Sequence, residues 1–155
     1  MTVSKGQHKT AAEWGSINEQ GRLAIPAEVT DCLSWFTPSK KRLDVLIDLS
    51  RTNLIVIRSL EGVAQSLDDQ REAIVQDSEN LDVGLRRIAM TQYFFQRAVL
   101  NPSARRLGLK APVLDHLRVR PGERLFCLGF ADRVEAYNEH GASEIMSKYA
   151  DDIVL

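Results

Sequence analysis

The sequence is poor in the residues from which most catalytic and metal sites are built. Its 155 residues include two cysteines and three histidines. Cys32 and Cys127 lie far apart, with no Cys-x-x-Cys and no histidine pair nearby. That pattern argues against a zinc site or a disulfide framework, fits a reducing cytoplasm, and leaves both thiols as small core hydrophobes. His8 falls in a polar N-terminal stretch, while His116 and His140 sit beside expected helix ends, none at metal-ligand spacing. No Gly-x-Ser-x-Gly, P-loop or Gly-x-Gly-x-x-Gly stands in a suitable context, so neither an enzyme nor a cofactor is expected. The apolar runs are a few residues long, far below the roughly 20 that a membrane helix needs. Met1 to Thr10 is polar and has no apolar core of a secretory signal. A cytoplasmic protein without a membrane partner is the expectation.

The near-neutral net charge of -1 conceals a segregation. Residues 1–60 carry +2 and residues 61–83 carry -6; residues 84–138 carry +6 and residues 139–155 carry -3. Nine of the ten bases in the +6 window are arginines. Alternating blocks of this kind suggest a basic working surface with acidic segments held away from it.

The chain also matches itself. Laid without a gap over residues 105–117, residues 21–33 give six identities in thirteen positions: Arg22/Arg106, Leu23/Leu107, Ala27/Ala111, Val29/Val113, Asp31/Asp115 and Leu33/Leu117. What surrounds each copy agrees as well. Ser16-Ile17 and Leu23 to Ile25 bracket Asn18-Glu19-Gln20-Gly21, a turn whose Asn and Gly tolerate left-handed backbone, and Pro26 stands where a helix starts. Strands are expected over Leu43–Asp48 and Leu54–Arg58, and again over Arg124–Gly129 and Arg133–Tyr137. Apolar spacing predicts helices from Leu60 through Leu67, from Leu85 through Phe94 and on toward Val99, and from Glu139 to Tyr149. Met1 to Ala12 and Asp151 to Leu155 are expected to fray. The expected layout is a first repeat over 14–60, a helical linker over 61–98, a second repeat over 99–138 and a C-terminal helix over 139–150. Neither repeat has enough apolar residues to close a core alone, so the two should pack about a pseudo-two-fold axis.

Asn18-x-x-Gly21-Arg22-Leu23-x-Ile25-Pro26-x-Glu28-Val29 resembles the signature of the AbrB/SpoVT class of swapped-hairpin transcription factors. Leu117-x-Val119-x-Pro121-Gly122-Glu123-Arg124 is similar to the second half of that signature. Two copies joined by helices resemble the MraZ family in particular, over roughly residues 14–148. The resemblance implies a mixed α+β, β-rich fold: two tandem swapped-hairpin, barrel-like repeats forming an intramolecular pseudo-dimer. It further implies a nucleoid-associated regulator that assembles into a ring-like homo-oligomer on short repeated sites in double-stranded DNA near division and cell-wall genes. The chain departs from the family pattern in several places. Asn18 replaces an Asp, Lys110 replaces the helix-starting Pro, and Ala104 or Arg105 replaces the Gly. Pro102 stands four residues before Arg106 and Asn101 four before Arg105, so either arginine can match Arg22.

An arginine on a tight hairpin can reach guanine O6 and N7 or clamp a phosphate. The candidate DNA-binding residues are therefore Arg22, Arg105 and Arg106, with Asn18 and Asn101 in the hairpins and Arg86 and Arg87 on the linker helix. Lys40, Lys41 and Arg42 are phosphate contacts or solvated charge. Surplus apolar side chains at Tyr93, Phe94 and Phe95 point to a homo-oligomer larger than a dimer. The alternative is an antitoxin-type interaction module of the same fold whose acidic segments grip a basic toxin.

Overall fold

Turns form where the sequence puts Asn, Gly and Pro, and the chain between them alternates strands with helices. In the computed structural model, residues 9–77 and 81–153 are described. The first half runs β1 (Ala11–Ser16), β2 (Arg22–Ala24), α1 (Ala27–Thr30), β3 (Leu43–Asp48), β4 (Leu54–Ser59) and α2 (Leu60–Asp77). After α3 (Leu81–Phe94), the second half runs β5 (Phe95–Asn101), β6 (Arg106–Gly108), α4 (Ala111–Leu117), β7 (Arg124–Gly129), β8 (Arg133–Tyr137) and α5 (Glu139–Ala150). The order strand, strand, short helix, strand, strand, helix thus occurs twice.

The strands form one antiparallel sheet in the order β1-β7-β8-β4-β3-β5-β6-β2. Its two ends, β1 and β2, meet through the single bridge Ile17–Leu23, so the sheet is a nearly closed barrel. The architecture is mixed α+β, with eight antiparallel strands and five helices among the described residues. The ladders cross between halves: β1 pairs with β7, β3 with β5, β4 with β8 and β2 with β6. Alternation along each strand sends one set of side chains inward. Leu23, Val45, Ile57, Leu107, Leu125 and Val134 are wholly buried there, in one core that draws on both halves. Each such side chain contributes about 1.5–3 kcal/mol by leaving water.

Helices cover the outside. α2 lies on β3 and β4, α5 on β7 and β8, and α3 on α2 and β5. The start of α5 is fixed by Asn138, whose Oδ1 accepts from Gly141 N at 2.8 Å and whose Nδ2 donates to Leu117 O at 2.8 Å.

Two expectations are corrected. Helix does not continue from Leu85 toward Val99: it ends at Phe94, and Phe95–Asn101 is a strand along β3, with Phe95 opposite Asp48 and Leu100 opposite Leu43. Mean apolar spacing could not separate the two states there, and the open edge of β3 decides it. Within α3, Leu85, Ala89 and Tyr93 are not turned inward. Its buried face is Gly84 and Ile88, with Thr91 and Phe94 partly covered, while Leu85 and Tyr93 are half exposed. Finally, Ala11 and Ala12 are not frayed, because β1 is held by β7 along its whole length, from Ala11–Gly129 to Ser16–Arg124. Lys9, Thr10 and Asp151 to Ile153 are exposed and lie outside the strands and helices, while Met1 to His8 with Val154 and Leu155 lie outside the described residues.

Candidate nucleic-acid interface

Two hairpins, β1–β2 and β5–β6, meet through the β2–β6 ladder. In the first, Asn18 Oδ1 accepts from Gln20 N at 3.0 Å and Arg22 N at 2.9 Å, and Gly21 N donates to Asn18 O at 3.0 Å. Gly21 takes the left-handed conformation, φ 75°. Asn18 thus holds the turn backbone rather than the guanidinium of Arg22. In the second hairpin, Asn101 Oδ1 accepts from Ser103 N at 3.1 Å and Ala104 N at 3.3 Å, the same capping role.

The second hairpin is one residue longer. Asn18 N donates to Arg22 O, four residues on, whereas Asn101 pairs with Arg106, five residues on. The backbone thereby answers which arginine corresponds to which position. Gly21 O accepts from Leu109 N at 2.9 Å and Arg105 O accepts from Ile25 N at 2.8 Å, so Arg105 occupies the corner that Gly21 occupies in the first hairpin. It does so at φ 53°, a conformation that costs a non-glycine residue about 1–2 kcal/mol. Local contacts offset the cost: Arg105 Nε donates to Thr30 Oγ1 at 3.0 Å, and the guanidinium lies 5.8 Å from the centre of the Phe36 ring. Arg105 is a side chain turned toward the protein.

Arg106 stands where Arg22 stands. Arg22 lies opposite Gly108 and Arg106 opposite Ala24, so both point outward from adjacent strands, on a diagonal of about 7–8 Å. Both are exposed, and neither guanidinium has a hydrogen bond or ion pair among the described residues. They border a groove of about 880 Å³ that is also lined by Arg42, Arg97, Lys110 and Asp44. Among the described residues five cations thus face one carboxylate, and that carboxylate is tied to Arg42 at 2.6 Å. Ala98, Val99 and Gly108 supply small or flat lining between them. A Cβ at Gly108 would meet nothing within 4 Å, so the space above it is open.

Arg97 and Lys110 were not legible as site residues in the sequence. The available signal for Arg97 was the alternation Phe95, Arg97, Val99, Asn101, which the helical reading of this segment masks. Lys110 takes the N-cap position of α4. Asn101 lines the groove, whereas Asn18 does not. Arg86 and Arg87 are exposed on α3 but line a separate shallow depression with Ser50, Met90 and Phe94. Lys40 and Lys41 are exposed in the loop before β3 and do not line the groove.

Burial pushes the Cys127 thiol up to about 12 and raises that of Cys32, so neither is a thiolate at neutral pH. On the outer face of β8, Tyr137 donates to Glu135 Oε1 at 2.9 Å and Arg133 Nε donates to Glu135 Oε2 at 2.9 Å. Burial first, and then that carboxylate, push the Tyr137 phenol up to about 12. No helix among the described residues is long and apolar enough to cross a membrane. No protein-family model matches the chain, and no curated protein matches it significantly.

Proposed function

We propose that this chain is a DNA-binding transcriptional regulator of the MraZ kind, in which two tandem swapped-hairpin repeats fold as an intramolecular pseudo-dimer. The observation that carries the reading is the outward, unpaired pair Arg22 and Arg106 at the rim of a groove with a large excess of positive charge. Two guanidiniums at diagonal positions of one ladder suit the edges of neighbouring base pairs or phosphates on either side of a groove. The crossing ladders support the swapped arrangement, since each hairpin pairs with strands of the opposite half. In this reading the protein works at the nucleoid as a ring-like homo-oligomer. Exposed Leu85, Met90 and Tyr93 on α3 and Met146 and Tyr149 on α5 supply apolar surface for contacts between copies. Assembly makes each further DNA contact intramolecular, so protomers of low net charge bind repeated sites usefully.

The test is a gel-shift titration of the full chain on the duplex upstream of its own gene, at low and moderate salt. Binding that weakens steeply with salt is the expected result, because each neutralised phosphate releases counterion. No binding at low salt, together with a basic protein that co-purifies in fixed ratio, would instead favour the antitoxin-type module.

A further inference from the structure

The two hairpins hold equivalent places in the sheet, but the surfaces beside them are not equivalent. On one side, the outer face of β3–β5 sets Leu46 opposite Arg97 and Asp44 opposite Val99. The corresponding face of β7–β1 sets Phe126 opposite Trp14 and Arg124 opposite Ser16. Trp14 therefore stands where Arg97 stands, and Arg124 where Asp44 stands. The N-cap of α1 is Pro26, whereas that of α4 is Lys110.

These exchanges fill one side and open the other. The Arg124 guanidinium lies over Trp14, 3.8 Å from the ring centre, and its Nε donates to Glu139 Oε1 at 2.9 Å. Trp14 packs in turn on Phe126 at 5.1 Å. That side is therefore filled by an aromatic stack whose cation is already neutralised. On the open side, the guanidinium of Arg97 and the ammonium of Lys110 have no hydrogen-bond or ion-pair partner among the described residues, and both line the groove.

We propose that Arg97 and Lys110 form a backbone-phosphate seat present on one side only of the Arg22–Arg106 pair, so that the protein holds nucleic acid in a single orientation. This rests on the DNA-binding reading above. Arg22 and Arg106 meet the duplex together, and the strand passing over Gly108 lays its phosphates on Arg97 and Lys110. The strand on the opposite side meets the Trp14–Arg124 stack, which offers bulk and no free charge. Arg97 and Lys110 position the duplex rather than read its bases.

The experiment measures affinity and its salt dependence for the full chain and its Arg97→Ala, Lys110→Ala and Arg124→Ala variants. The probes are the duplex upstream of its own gene and a random-sequence duplex. Removing Arg97 or Lys110 is expected to weaken binding to both duplexes about eightfold at 0.1 M salt and to reduce the salt slope by about 0.9, the share of one phosphate contact. Arg124→Ala is expected to bind as the unaltered chain does. Arg97→Lys, which keeps the charge, should recover most of the loss, and an unchanged melting temperature separates lost contact from lost fold. If the unaltered chain binds but the Arg97 and Lys110 variants bind equally well, or Arg124→Ala loses as much as they do, the one-sided seat is wrong and the DNA-binding reading stands. If the unaltered chain binds neither duplex, the DNA-binding reading fails and the seat falls with it.

Discussion

Leu23 and Leu107 lie directly opposite one another in the β2–β6 ladder, and both are wholly buried. They are also an identical pair when the chain is laid over itself, so the internal match in sequence becomes a contact in space. The core is continuous across that contact, with Ile17, Leu100, Leu109 and Val113 in the same cluster. Leu107→Ala is expected to cost about 2–5 kcal/mol, the range for a buried leucine whose cavity closes only in part. Urea unfolding should show a single transition for both proteins, because the two halves share one core. Two separated transitions would contradict this.

Much of the fold was legible because local chemistry and tertiary structure agree. Asn18 and Gly21 form the turn expected of them, and Pro26 leads into a helix. Strands β3, β4, β7 and β8 follow their apolar runs closely. What could not be read was decided by partners distant in the chain. Phe95–Asn101 becomes a strand because β3 offers it an edge, and nothing local announces this. The face that α3 buries follows from where α2 and the sheet lie. The candidate groove was legible at Arg22 and ambiguous at Arg105 and Arg106, since one extra residue in the second hairpin sets Asn101 five residues from Arg106 instead of four. Arg97 and Lys110 reach the groove through the sheet register and the start of α4, which no motif records.

Arg105 divides stability from binding. Replacing it with Ala removes the bond to Thr30 and the contact with Phe36 but leaves the left-handed corner strained, at an expected cost of about 1–2 kcal/mol. Arg105→Gly should recover part of that loss by relieving the strain. Chemical denaturation checks the order, with the unaltered chain above Gly and Gly above Ala. DNA affinity should change little in either variant, since the side chain faces the protein.

Tyr137 ties stability to alkaline pH. Its folded phenol titrates near 12, above the ordinary value of 10, so folding favours the neutral, bond-donating form. The stability it contributes is complete below pH 10 and is lost as pH rises through about 12. Melting temperatures measured across that window should fall more steeply for the unaltered chain than for Tyr137→Phe. Equal slopes would contradict the assignment.

Assembly is tested by mass. Half-exposed Leu85, Met90 and Tyr93 on α3 and Met146 and Tyr149 on α5 should be covered between copies. Light scattering is expected to give a particle larger than a dimer, and Leu85→Glu with Met146→Glu should reduce it. A mass near 17.4 kDa throughout the micromolar range would contradict the oligomer.

The paired guanidiniums are tested most directly by a competition gel shift with the unaltered chain, Arg22→Ala and Arg106→Ala on the duplex upstream of its own gene, at two salt concentrations. Equivalent positions in one ladder should make the two losses alike, each about 1–3 kcal/mol per site if the side chain reads a base edge, with relaxed preference at one position. Both variants binding as tightly as the unaltered chain, or no binding by the unaltered chain even at low salt, would contradict a DNA surface built on Arg22 and Arg106.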